Sequence, residues 1–211
     1  MRVASLLVGI AGGSGSGKTT LVKGVAATMP PGHVVVIPHD AYYRDLGHWP
    51  FEDRIGCNFD EPVALDNERL VEDLGRLRAG CAIARPNYDF ATHTRLVETT
   101  RVEARPVVIV EGILVLAIPA LCGVLDLKVF VEASEPTRLA RRIERDVAER
   151  GRTREGAEIQ YQCTTRPMHE RYVEPSRARA DLVISGEAGV EKAVESLMVA
   201  ILRLPIPGIR A

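Results

Sequence analysis

The sequence predicts a doubly wound α/β fold built on a parallel five-stranded sheet. Two observations predict it. The run Gly12-Gly13-Ser14-Gly15-Ser16-Gly17-Lys18-Thr19 stands between a strand-like apolar stretch and a helix-like one, which is the setting in which G-x-x-x-x-G-K-[ST] binds phosphate. Five short runs of β-branched and apolar residues then alternate with stretches of helical periodicity, the pattern of parallel strands joined by crossover helices.

Ser5 to Ile10 reads as the buried strand that enters the loop, and Lys18 to Met29 as the helix that leaves it, with Leu21, Val22, Val25 and Met29 on one face. The glycines let the backbone turn so that successive N–H groups point inward at phosphate oxygens. Lys18 can reach β- and γ-phosphates and the Thr19 hydroxyl can ligate Mg²⁺. The helix N-terminus adds its partial positive charge. Gly12 to Thr19, with Thr20 beside them, are the expected nucleotide contacts. The alternative, a flexible Gly/Ser linker, does not call for a strand before and a helix after.

Pro30-Pro31-Gly32 ends the first helix, and Val34 to Ile37 forms a second strand before Pro38. His39-Asp40-Ala41-Tyr42-Tyr43-Arg44 follows at its carboxyl end, where ligands sit in open α/β sheets. Asp40 and Tyr43 are therefore placed to meet a substrate; a helix N-cap is the other role open to Asp40. Residues 45 to 64 read as a polar loop containing Asn58-Phe59-Asp60-Glu61-Pro62. Asp66 is a candidate N-cap for a helix with Leu70, Leu74 and Leu77 on one face, ending at Gly80.

Ala82 to Arg95 and Leu96 to Ala104 read as two extended segments, an edge hairpin or small insert carrying Pro86. Tyr88, Phe90, His93 and Arg95 on this irregular hairpin can line a pocket for a flat ring, or form a purely structural cluster. Val107 to Val110 is the most strand-like run in the chain and ends in Glu111-Gly112. An acidic residue at that tip reads as a carboxylate near Mg²⁺, or as an ordinary strand end. Leu127 to Val131 is the next strand.

Thr137 to Arg150 reads as a helix with Leu139, Ile143 and Val147 as its apolar stripe, and Arg138, Arg142 and Arg145 on the opposite side. Gly151 breaks it, followed by Arg152. A charged helix face is usually only solvated. Next to a phosphate loop it reads as a phosphate-facing lid, over about 138–166. Residues 154–172 are expected to be helical as far as Pro167. Asp181 to Ile184 is the last strand and Gly189 to Leu204 a closing amphipathic helix.

At 211 residues and 46% apolar content the chain fits one domain with a sizeable core and a small insert over about 82–104. With 27 basic and 28 acidic residues, net charge −1, nothing electrostatic points to a nucleic acid or a membrane surface as partner. Cys57, Cys81, Cys122 and Cys163 contain no C-x-x-C pair, which suggests reduced thiols in a cytoplasmic protein. Arg2 followed by Val3 to Ile10 mimics a short signal peptide, but the apolar run ends in the phosphate loop itself. No run approaches the ~18 apolar residues of a membrane span.

Together these residues resemble the uridine kinase (uridine-cytidine kinase) family of P-loop nucleoside kinases, over about Val8 to Ser185. The specific motifs are Asn58-Phe59-Asp60; Tyr88-Asp89-Phe90 with His93 and Arg95; Glu111-Gly112-Ile113-Leu114; Glu149-Arg150-Gly151-Arg152; Gln160-Tyr161; and Arg166-Pro167-Met168-His169. The resemblance implies that Asp40 is the general base facing the nucleoside 5′-hydroxyl. Tyr43 and Phe59 border sugar and base, and Asp60 holds ribose hydroxyls. Tyr88, Phe90 and His93 line the pyrimidine pocket, and Glu111 acts on Mg²⁺ with Thr19. Arg142 and Gln160 reach the nucleoside; Arg145, Arg150 and Arg152 reach the transferring phosphates. It further implies a P-loop kinase fold, ATP or GTP as donor, uridine and cytidine as acceptors, UMP and CMP as products, pyrimidine salvage, and a homotetramer assembled partly through the hairpin. The family usually continues Asn-Phe-Asp with His-Pro-Asp-Ala-Phe-Asp; this chain has Glu61-Pro62-Val63-Ala64-Leu65-Asp66.

Two other readings compete. Another small-molecule kinase of the same superfamily, of phosphoribulokinase or pantothenate kinase type, would not call for the Tyr88/Phe90/His93 ring pocket. A P-loop switch protein that reads guanine would need an Asn-Lys-x-Asp run, and the sequence contains none.

Overall fold

The computed structural model describes residues 5–206, apart from the side chain of Arg150. Five strands, β1 (Leu6–Ala11), β2 (Val34–Pro38), β5 (Val107–Glu111), β6 (Leu127–Glu132) and β7 (Leu182–Ser185), form one parallel sheet in the order β2-β5-β1-β6-β7. Strands β3 (Ile83–Asp89) and β4 (Thr94–Val102) pair antiparallel in a separate two-stranded sheet. Every residue of β1 is buried, as are Val107 to Val110. Strands covered on both faces read as continuous apolar runs rather than as an alternation.

The two faces are nevertheless distinct. Leu7, Val108 and Val110 pack with Leu70, Leu74 and Leu77 of α3 (Asn67–Arg78) and Leu121 of α4 (Pro119–Val124). Leu6, Val8, Ile10, Val107 and Ile109 pack with Leu21, Val22 and Val25 of α1 (Lys18–Thr28) and with the closing helix, Val190–Leu202. Asp66 caps α3, its side chain accepting from the Arg69 amide at 3.3 Å. The polar loop contains a short helix, α2 (Phe51–Ile55).

Register positions the chemistry. Ile10 pairs with Glu111, and Pro38 pairs with Glu111 on the other side. The phosphate loop, the turn carrying Asp40 and the Glu111 carboxylate therefore leave the sheet side by side.

Three sequence expectations change. The hairpin turns at 90–93, not at 95/96, because the Asp89 side chain accepts from the Ala91 amide at 2.9 Å and the Thr92 hydroxyl at 2.7 Å. The face that α5 (Glu135–Arg150) buries is not the apolar stripe. Ile143 is buried, but Val147 is 45% exposed, whereas Arg138, Arg142 and Asp146 are buried at i, i+4 and i+8. Finally, helical structure does not stop at Pro167. It runs from α6 (Arg154–Gln160) through π-helical Tyr161–Thr165, α7 (Arg166–Met168), π-helical His169–Val173 and α8 (Glu174–Ser176) to Arg179. Proline lacks the N–H and its ring crowds the carbonyl four residues back. Pro167 and Pro175 each follow a π-helical segment, whose wider turn displaces those carbonyls.

Candidate active site

A cavity of about 1040 Å³ opens along the carboxyl ends of β1, β2 and β5. The loop 12–17 forms its floor. Gly12 has φ +143°, and a Cβ there would lie 2.2 Å from the Val131 carbonyl, so only glycine lets β6 approach the loop. Ser14, Gly15, Gly17, Lys18, Thr19 and Thr20 line the cavity, with Gly12, Gly13 and Ser16 buried behind them. Lys18 folds back, its Nζ donating to the Gly12 and Gly13 carbonyls at 2.9 Å each. Burial lowers its pKa to about 8, against the opposing pull of Glu111 and Asp40. The Thr19 hydroxyl donates to Glu111 Oε1 at 3.3 Å. Burial raises the Glu111 carboxyl, partly countered by Lys18.

Asp40 lies half-buried on the cavity wall, inside a 3₁₀ turn, His39–Tyr42, that directly follows β2. It is not the N-cap; Pro38 stands there. The turn is pinned from below. His39 is 1% exposed, its Nε2 meets Asn67 Oδ1 at 2.9 Å, and burial lowers its pKa, so the ring is neutral. Gly112 rests on it: a Cβ at 112 would be 2.5 Å from that of His39. The Tyr42 hydroxyl donates to buried Asp73 at 2.9 Å.

Away from the phosphate loop the walls become aromatic. Tyr43 meets Phe59 edge-on at 5.3 Å, Tyr88 at 5.3 Å and Phe90 at 6.5 Å between ring centroids. His93 stacks on Phe59 at 4.7 Å. All five line the cavity, as does Asp60. His93 has φ 56°, the left-handed region that side chains seldom adopt. Arg54 fixes the preceding peptide, donating to the Thr92 carbonyl at 3.1 Å and to Gly47 and Trp49 carbonyls in its own loop. Burial and the Arg152 charge lower the His93 pKa. Arg95 lies outside the cavity lining. It donates to the Tyr43 carbonyl at 2.7 Å, the Tyr42 carbonyl at 3.0 Å and Asp66 at 3.0 Å, and so anchors the hairpin.

The third wall is basic. Arg142 Nη1 donates to Ser14 Oγ at 3.0 Å and Nη2 to Gln160 Oε1 at 3.1 Å. Arg145 and Arg152 converge with them on Asp146. Arg142, Arg145, Arg152 and Gln160 all line the cavity. The Arg150 side chain lies outside the described residues. The sequence does not foreshadow Asp146 or the His39–Asn67 pair, whereas Ser14, expected at the nucleotide, also accepts from Arg142. The only signal for Asp146 was its place four residues beyond Arg142.

Hard oxygen donors at Thr19 and Glu111 suit Mg²⁺. No group of three or more His, Cys, Asp or Glu able to hold a metal occurs among the described residues.

The family described as "Phosphoribulokinase / Uridine kinase family" matches residues 7–191. A uridine kinase of Chloroflexus aggregans is 45% identical over 186 residues, 88% of this chain and 89% of that protein. One from Bacillus cytotoxicus is 42% identical over 194 residues, 92% of this chain and 91% of that protein. The fold is shared with a possible uridine kinase from Bacillus stearothermophilus, at TM-score 0.60 and 21% identity over 87% of this chain and 90% of that one. It is also shared with phosphoribulokinase from Rhodobacter spheroides, at TM-score 0.61 and 14% identity over 86% of this chain and 70% of that one. The chain belongs to the phosphoribulokinase/uridine kinase family.

Proposed function

We propose that the chain is a uridine kinase that transfers the γ-phosphoryl group of ATP, or GTP, to the 5′-hydroxyl of uridine and cytidine, giving UMP and CMP for pyrimidine salvage. One observation carries this reading. A single cavity joins the phosphate loop to an aromatic box, and Asp40 lies on its wall between Lys18 and Tyr43 in the chain. A sugar phosphate or an open-chain acceptor gives the box no flat ring to hold.

Phosphoryl transfer asks for positioning and charge stabilisation more than covalent chemistry. The loop amides and Lys18 hold the phosphates, with the ammonium opposite the charge that spreads over the γ-oxygens. Asp40 orients the 5′-hydroxyl and takes its proton. Tyr43, Phe59, Tyr88, Phe90 and His93 hold the base, while Asp60 takes the ribose hydroxyls. Arg142 and Gln160 reach the nucleoside. Arg145, Arg150 and Arg152 cover the phosphates and exclude water. Thr19 and Glu111 would hold Mg²⁺, which would supply charge neutralisation at the donor's phosphates.

We take the chain as a single kinase domain with the hairpin as an insert and 138–166 as the lid. On the family resemblance we take the assembly as a homotetramer formed partly through the hairpin, where exposed Leu96 and Val97 support contact between copies. The four cysteines, none of them in a disulfide among the described residues, support a cytoplasmic location. No helix among the described residues is long and apolar enough to cross a membrane.

The test is ADP formation from ATP with uridine, with ribulose 5-phosphate, with pantothenate and with no acceptor. The expected result is ADP and UMP in equal amounts with uridine alone. Turnover only with another acceptor, or hydrolysis that ignores all three, overturns the assignment.

A further inference from the structure

We propose that Asp146 is the positioning residue of the lid, the buried carboxylate that holds Arg145 and Arg152 at the transferring phosphate; this deepens the kinase reading above and rests on it. Asp146 is 0% exposed and does not line the cavity, whereas Arg142, Arg145 and Arg152, which meet it, all do. Its Oδ1 accepts from Arg145 Nε at 3.1 Å and Nη2 at 2.9 Å. Its Oδ2 accepts from Arg152 Nη1 at 2.8 Å and faces Arg142 Nε at 3.5 Å. The backbone joins in. The Asp146 carbonyl accepts from the Gly151 amide at the left-handed helix end and from the Arg152 amide at 3.2 Å. The residue that collects the guanidiniums thus also folds the hinge that delivers one of them.

The physical need is clear. Three guanidiniums crowded beside one cavity repel one another, and in partly buried surroundings that repulsion is poorly screened. One buried carboxylate offsets it and fixes direction, since Asp146 meets Arg145 and Arg152 through charge-assisted hydrogen bonds and Arg142 as a nearby opposite charge. A guanidinium carries five N–H donors, so an arginine held through one or two of them keeps donors for a ligand. Donors aimed before the charge develops stabilise the transition state without reorganising. Asp146 therefore acts on kcat through its arginines, and touches neither substrate.

The test assays wild type, Asp146→Asn, Arg152→Ala and the double variant with ATP and uridine, with circular dichroism on each. For Asp146→Asn the expected result is native helix content, kcat lower by about 100-fold, the loss typical of one charge-stabilising donor, and KM for uridine within about threefold. Residues that act as a unit are non-additive, so the loss in the double variant should fall well short of the product of the two single losses, and what it adds beyond Arg152→Ala is the part Asp146 exerts through Arg145. An unchanged kcat in Asp146→Asn, or losses that multiply in the double variant, overturns the inference. If Asp146→Asn does not fold, Asp146→Glu keeps the charge and displaces it by one methylene. A wild-type kcat there overturns the inference, and a fall in kcat at constant KM supports it. A wild type that ignores uridine overturns the function itself, and is told apart because it fails before any variant is compared.

Discussion

His93 lies flat on Phe59, ring centroids 4.7 Å apart and planes inclined by 17°. Both rings line the same cavity. Because burial lowers its pKa below the ordinary 6.5, the ring is neutral at pH 7, with one donor and one acceptor nitrogen and a tautomer that can change. Uracil and cytosine present opposite donor–acceptor patterns at positions 3 and 4, and such a ring serves both. Uridine and cytidine should show kcat/KM within about 30-fold, roughly 2 kcal/mol at 1.36 per decade, with adenosine far below. A fixed donor or acceptor would discriminate by up to ~10⁴-fold. Side-by-side kinetics decide, and a ratio beyond a thousandfold either way removes His93 as the reader of the base.

Asp40 is placed by the neutral His39 beneath it and the Gly112 backbone beside that. Asp40→Asn keeps the shape and loses the base. Nucleotide affinity should survive and kcat should fall by about 10²–10⁴-fold. Pre-steady-state ATP binding and steady-state turnover separate the two; turnover within about threefold of wild type takes Asp40 out of the chemistry.

Lys18 has a pKa of about 8 where an ordinary lysine has 10.5. Between those values the unfolded chain holds a proton that the folded one has released. Stability from this group therefore rises with pH across that window, and its burial penalty is fully present below about 8. Phosphate binding favours the charged form, so nucleotide binding should take up a proton near pH 8. The dissociation constant for ATP should rise from pH 8 to 10, up to about tenfold per unit. Titrations in buffers of different ionisation enthalpy detect the proton directly, and a pH-flat affinity over that range counts against a charged Lys18 in the complex.

Arg95 serves three acceptors from a side chain only 17% exposed. Arg95→Ala leaves the Tyr42 and Tyr43 carbonyls and Asp66 short of a donor. The Asp66 amide still serves the Tyr42 carbonyl and the Arg69 amide still serves Asp66, so the donors removed cost about 1–2 kcal/mol. The hairpin carrying Tyr88 and His93 loosens with it, so KM for nucleoside should rise while ATP binding stays. Thermal melts and separate KM values test this; an unchanged melting temperature contradicts the anchor.

The phosphate loop, Asp40 and Glu111 were legible in the sequence because each sits at the end of an unmistakable strand, and parallel register alone brings strand ends together. Asp146 was not. Leu139 and Val147 mark the helix face that the apolar pattern favours, and an aspartate among arginines reads as solvated until the fold turns it inward. Arg95 was read with the ring pocket because it follows Tyr88 and His93 in the chain, but its partners lie on residues 42, 43 and 66. Helix past Pro167 was hidden because proline normally stops one, and only the preceding π-helical turn reveals the escape.

The cavity is cationic at one end, with Lys18, Arg142, Arg145 and Arg152, and aromatic at the other. The chain as a whole is almost neutral, at −1, so this field is local rather than global. Its consequence lies in arrival rather than in chemistry. A triphosphate is drawn in by charge, and an uncharged nucleoside diffuses in unaided. Raising ionic strength from ~0.01 to ~0.15 M shortens the Debye length from about 30 to about 8 Å. Salt therefore slows capture of the donor and leaves capture of the acceptor untouched, so the two encounter rates can be moved apart without changing a residue.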